Sequence, residues 1–180
     1  MPFFCSCIHR ENEERDASMN VNYVSEVAKD AVDVAKKLED AGEFGQAIDV
    51  VTNALKADKK NAWLYAVRGR LHHVKEDFKA AVTDFNGALS LKKDTPTTLH
   101  FRGRAKTELG DLEGAFKDFK RCIELQPNAA DAYQEIGFLL EAAGEKEGAV
   151  VALQKAISLE PQAFGYLAER IQALQDAEQE

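Results

Sequence analysis

The chain has 180 residues, a formal net charge of −8, and 45% apolar against 30% charged residues. That length can bury a sizeable core in one domain, whereas the acidic total argues against nucleic-acid binding, which needs a basic footprint. No apolar run approaches the ~20 residues that span a bilayer, and three cysteines without a regular framework fit a reducing compartment.

Residues 1–18 read as a flexible N-terminal tail. It holds Cys5, Cys7 and His9 beside Phe3 and Phe4. Its plain reading is of unmodified cysteines. S-acylation of Cys5 and Cys7 is an alternative, since both lie close to apolar residues. As a metal site the cluster falls short of the four ligands a structural zinc wants. Val24, Val27, Ala28, Ala31, Val34, Ala35 and Leu38 then follow helical spacing and predict a first helix that starts near Asn20.

From residue 28 the chain repeats every 34 residues, in blocks 28–61, 62–95, 96–129 and 130–163. The eighth position is Ala35, Gly69, Gly103 and Gly137, and the twentieth is Ala47, Ala81, Ala115 and Ala149. The twenty-fourth is Val51, Phe85, Phe119 and Leu153, and the twenty-seventh is Ala54, Ala88, Cys122 and Ala156. Small residues let two backbones approach and a large one fills the gap beside them. Within each block two helical stretches flank a breaker, Gly42, Gly110 or Gly144. Block two has Glu76 there, which predicts a locally different turn, because a non-glycine residue at positive φ is uncommon. After the last block Phe164, Leu167, Ile171 and Leu174 predict one amphipathic helix within 164–180, which would cap the last apolar face.

These positions resemble the tetratricopeptide repeat, a helix–turn–helix unit. The resemblance implies an all-α, right-handed α-solenoid of four repeats over residues 19–163, with an extended first helix and a C-terminal capping helix. On a helical wheel, positions 4, 7, 8 and 11 of each first helix face the second helix, and positions 2, 5, 9 and 12 the opposite side. In the family that opposite side is the concave, peptide-holding groove. Its ninth position here carries Lys36, Arg70, Arg104 and Phe138, with Trp63, His73, His100 and Phe101 nearby. Aromatic and Arg side chains are frequent interface anchors, and Arg can grip a carboxylate with both arms of its fork. The expected ligand is an acidic or C-terminal peptide segment of another protein. The bland alternative is a solvated face. Arg68 and Arg102, with His72 and Lys106, are expected to pack their stems and send their heads to water.

Co-chaperone members of the family hold the EEVD tail of heat-shock proteins in a carboxylate clamp. Its positions read Val32, Lys36, Val67, Thr97 and Phe101 in one register, and Ala66, Arg70, Phe101, Asp131 and Glu135 in the next. Neither matches, so a heat-shock tail is not the expected ligand. His72 and His73 point about 100° apart and lack an obvious carboxylate to orient them. No phosphate loop, nucleophile elbow or HExxH string occurs. The expectation is therefore a cytoplasmic, non-catalytic adaptor without metal, cofactor or nucleic acid. The alternatives are a structural subunit of a cytoskeletal or ciliary assembly, and an adaptor tethered to a membrane through acylated Cys5 and Cys7.

Overall fold

The computed structural model describes residues 26–176. Cys5, Cys7, the rest of the tail and the helix start expected near Asn20 lie outside them. Ten helices follow in these residues and no strand. They are α1 (26–40), α2 (Phe44–Ala57), α3 (Ala62–Val74), α4 (Phe78–Leu91), α5 (Pro96–Glu108), α6 (Leu112–Leu125), α7 (Ala130–Ala142), α8 (Lys146–Leu159), α9 (Pro161–Phe164) and α10 (Leu167–Asp176). Each of α2 to α8 packs on its chain neighbours, and α9 and α10 lie on α8. The result is a right-handed solenoid of helix pairs.

The interlock follows the repeat. Ala47, Ala81, Ala115 and Ala149 are fully buried, and Val51, Phe85, Phe119 and Leu153 fill the space beside them. A Cβ at Gly69 would stand 2.8 Å from Phe85, at Gly103 2.7 Å from Phe119, and at Gly137 2.5 Å from Leu153. Only a residue without Cβ lets the two helices come so close. Each large side chain buried there contributes about 1.5–3 kcal/mol.

The turns are uniform, including the one at Glu76. Gly42, Gly110 and Gly144 have φ near 80°, and Glu76 has φ 62°. Glu76 N–H donates to His73 O and Asp77 N–H to His72 O, both at 2.9 Å, as the glycine turns do at their own positions. The expected local difference is therefore absent. Those two bonds, and the Asp77 side chain accepting from Ala80 N–H at 3.2 Å, offset a left-handed backbone that costs roughly 1–2 kcal/mol. Beyond α8 the single expected helix is broken in two. Pro161 opens α9, and residues 165–166 form a turn before α10.

Arg68 and Arg102 also depart from expectation. Their heads do not simply reach water. Arg68 donates to both carboxylate oxygens of Asp84, at 2.8 and 2.6 Å, and Arg102 to both of Asp118, at 2.8 and 2.5 Å. Asp84 and Asp118 are buried, and a buried carboxylate is tolerable only when paired in this way. Lys106 Nζ adds a contact to Asp118 at 2.8 Å, and His72 Nε2 lies 3.8 Å from Asp84. These six side chains thus form part-buried braces within the helix pairs of repeats two and three.

Candidate functional site

The first helices α1, α3, α5 and α7 stand side by side, so their second, fifth, ninth and twelfth positions share one face. Between α5 and α7 that face opens into a cleft of about 580 Å³. Its walls include His100, Phe101 and Arg104 from α5, Asp131 and Glu135 from α7, and Glu160. Three of the expected groove residues thus meet at one cleft.

Aromatic rings link the cleft to the inner repeats. Phe101 stacks against Phe85, with centroids 6.3 Å apart, and takes the edges of His100 at 5.8 Å and His73 at 6.5 Å. His100 also meets Phe119 at 5.6 Å. Burial pushes both His73 and His100 below the ordinary histidine range, and Arg104 acts in the same direction at each; Glu108 opposes it at His73 and Asp131 at His100. His73 Nε2 is buried and finds no hydrogen-bond partner among the described residues. A neutral imidazole can leave one nitrogen as an unused acceptor at less cost than an unpaired charge.

The charged positions are less open than the wheel implies. The Arg70 fork is closed by both oxygens of Glu39 on α1, one contact being 2.7 Å. Arg104 has a looser partner, Nε to Glu135 Oε1 at 3.5 Å, and stays 46% exposed. Burial pushes the Glu135 carboxyl up, Arg104 holds it down, and Asp131 and Glu108 push it further up. Lys36 and Trp63 are exposed and line no part of the cleft. Phe138 is not free either, because the guanidinium of Arg170 lies over its ring at 4.8 Å while forking to Glu141.

Sequence reasoning missed these carboxylates. The available signal was spacing. Glu39 and Arg70 stand 31 residues apart, as do Arg104 and Glu135. In a 34-residue repeat that separation joins neighbouring first helices one turn out of step.

A second, apolar cleft of about 760 Å³ lies on the opposite side of α7, between Ile123, Tyr133, Ile136 and α8. Val151 is 67% exposed at it. Among the described residues no group of three or more His, Cys, Asp or Glu is arranged to hold a metal ion, and no helix is long and apolar enough to cross a membrane.

Two family models match the chain, one described as TPR repeat over residues 103–144 and one as tetratricopeptide repeat over 130–163. Among solved structures, the first TPR domain of Spaghetti (RPAP3), bound to the HSP90 peptide SRMEEVD, is 30% identical. It matches with a TM-score of 0.64, over 67% of this chain and 95% of that one. The chain belongs to the tetratricopeptide repeat family. Other structures of this family carry the likeness further along the chain. MamA is 25% identical with a TM-score of 0.71, over 85% of this chain and 86% of that one. YrrB, described as a TPR protein with an unusual peptide-binding site, shares the fold at 24% identity and a TM-score of 0.65, over 74% and 69% of the two chains. No curated protein sequence matches.

Proposed function

We propose that this tetratricopeptide repeat protein is a non-catalytic adaptor that holds a segment of another protein along its concave face. The observation that carries the reading is the cleft between α5 and α7, where an exposed guanidinium stands beside His100 and Phe101. A partly exposed aromatic wall with one adaptable charge is the composition of an interface anchor. Peptide binding by two of its structural relatives supports it. The exposed Arg104 guanidinium favours a carboxylate, from an acidic side chain or a free C-terminus. The residues at the heat-shock clamp positions argue against an EEVD tail as that ligand.

The test fills the cleft. Thr97→Trp with Gln134→Trp places two bulky rings on its walls. Affinity capture from a cell extract, read by mass spectrometry, should lose its specific partners with this variant and keep them with Arg121→Glu on α6. The far-ultraviolet circular dichroism of both should stay native. The apolar second cleft favours one other reading, a structural subunit that works through its outer face. Capture that survives the filled cleft but is lost with Val151→Glu would establish that reading instead.

A further inference from the structure

Within the groove reading proposed above, we infer that Arg104 is the residue that reads the ligand's charge, and that it takes one carboxylate, not the acidic run three aligned cations suggest. The three cations are not equivalent. Arg70 already holds a carboxylate, because Glu39 accepts from both of its terminal nitrogens, and its charge is thereby matched. Lys36 lies on α1, beyond that closed pair. An extended acidic segment would therefore meet, in the middle of its path, a guanidinium whose charge Glu39 already neutralises, and would gain little there unless it displaced Glu39.

Arg104 is placed differently. It makes no hydrogen bond among the described residues, and its one ion pair is at 3.5 Å. It lines the cleft and is nearly half exposed. A planar fork in that state can accept a carboxylate with two parallel N–H···O bonds. Glu135 is the competitor, a largely desolvated side chain at 22% exposure with no hydrogen bond among the described residues. Asp131 and Glu160 also stand in the cleft walls. One ligand carboxylate can replace Glu135 at Arg104. A second would face three carboxylates and no further cation in the cleft, where like charges repel. A ligand Lys or Arg beside the first carboxylate would instead be drawn to Asp131 and Glu160. The ligand class is thus a segment with one carboxylate and a basic neighbour.

The probe is a random twelve-residue peptide library displayed on phage, in one arm with a free C-terminus and in the other with that end fused to the coat protein. Selected peptides should carry a single aligned carboxylate with Lys or Arg near it, and runs of three or more acids should be depleted. Enrichment in both arms identifies an acidic side chain; enrichment only with the free end identifies the C-terminal carboxylate. Measured on the winning synthetic peptides, Arg104→Gln should weaken binding by about tenfold or more. Arg70→Gln should leave affinity within about twofold, as expected for a fork that never meets ligand. Glu135→Gln should strengthen binding and admit acidic runs. Selection of acidic runs by the wild-type protein, or equal losses for Arg70→Gln and Arg104→Gln, would overturn the inference. If the peptides are lost with the filled cleft but indifferent to Arg104, the inference fails and the groove reading stands. If no selected peptide responds to the filled cleft, both fail.

Discussion

Repeats two and three brace their helix pairs with charge at positions where repeats one and four carry only hydrocarbon. Three positions change together. The seventh, eleventh and twenty-third are Arg68, His72 and Asp84 in repeat two, and Arg102, Lys106 and Asp118 in repeat three. In repeat one they are Val34, Leu38 and Val50, and in repeat four Ile136, Leu140 and Ala152. The geometry is shared. Lys106 Nζ reaches the carbonyl of Gly114 at 3.3 Å, and Leu140 packs over Gly148, the equivalent residue one repeat on. The difference teaches that the same three positions accept either a charged or an apolar set, provided all three agree. A half-exchanged set would strand a buried charge. The apolar version has a consequence of its own: around Ile136 and Ala152 it leaves the second cleft open, where the arginine forks occupy the corresponding place in the inner repeats.

The largest effect should come from breaking one inner brace. Asp118→Ala leaves Arg102 and Lys106, each only about a fifth exposed, without their common partner. Removing one member of a buried pair costs about 3–5 kcal/mol, and urea unfolding should show a loss of that size. Transplanting the outer set, with Arg102→Ile, Lys106→Leu and Asp118→Ala together, should return stability to within about 1 kcal/mol of wild type, since apolar replacements of whole buried pairs are often neutral. A triple variant as unstable as the single one would break the comparison, because the positions would then not be exchangeable as a set.

How far all this was legible follows the same division. The period and the small-against-large interlock are local features repeated four times, and the turn glycine recurs three times, so each copy reinforces the others. Partners were harder. A helical wheel assigns a direction to Arg68 or Arg70 but says nothing about what a neighbouring helix brings to meet it. Asp84 and Asp118 lie 16 residues downstream of their arginines, and were visible only by comparing columns of the repeat. Glu76 misled because the turn's hydrogen bonds outweigh its left-handed strain. At the groove, His100, Phe101 and Arg104 are the fifth, sixth and ninth residues of one block, so helical spacing sets them on neighbouring turns of α5. The closure of Arg70 by Glu39, and of Phe138 by Arg170, depends on carboxylates and a helix that the pattern treats as background.

A smaller effect separates the two kinds of interlock. At Gly103 a new Cβ meets the ring of Phe119, which is rigid and enclosed, and at Gly137 it meets the branched end of Leu153, which can change rotamer. Gly103→Ala should therefore cost about 1–3 kcal/mol through overpacking. Gly137→Ala should cost less, because part of the clash relaxes and alanine returns up to about 1 kcal/mol of helix propensity at either site. Thermal melts of the two variants in parallel are sufficient to rank them. Gly137→Ala as the more damaging of the two would mean that the leucine is as fixed as the phenylalanine, and the outer repeats as tightly specified as the inner ones.

The smallest effect is one of pH, and it too belongs to the inner half, since His73 and His100 lie on α3 and α5. Burial lowers both imidazoles below their ordinary value. A group whose folded pKa is depressed adds stability above its unfolded pKa, about 6.5 for histidine, and loses it as pH falls towards the folded value. Melting temperature should therefore decline on acidification from neutral pH into the range just below about 6.5. Glu135 runs the other way, because its carboxyl is raised. Its ionised form is disfavoured by folding, so that penalty eases as pH falls through the raised value. Glu135→Gln, introduced into wild type and histidine variant alike, removes that opposing response and leaves the histidine window readable. Replacing His73 and His100 together with Phe keeps aromatic contacts to Phe78, Phe101 and Phe119 while removing both titrations. The double variant should show a flatter melting profile between neutral pH and about pH 5.5 than wild type, with His72 unchanged in both. If the two profiles run parallel, the acid response lies outside these two side chains, and the inner repeats owe none of their pH dependence to the aromatic wall beside the cleft.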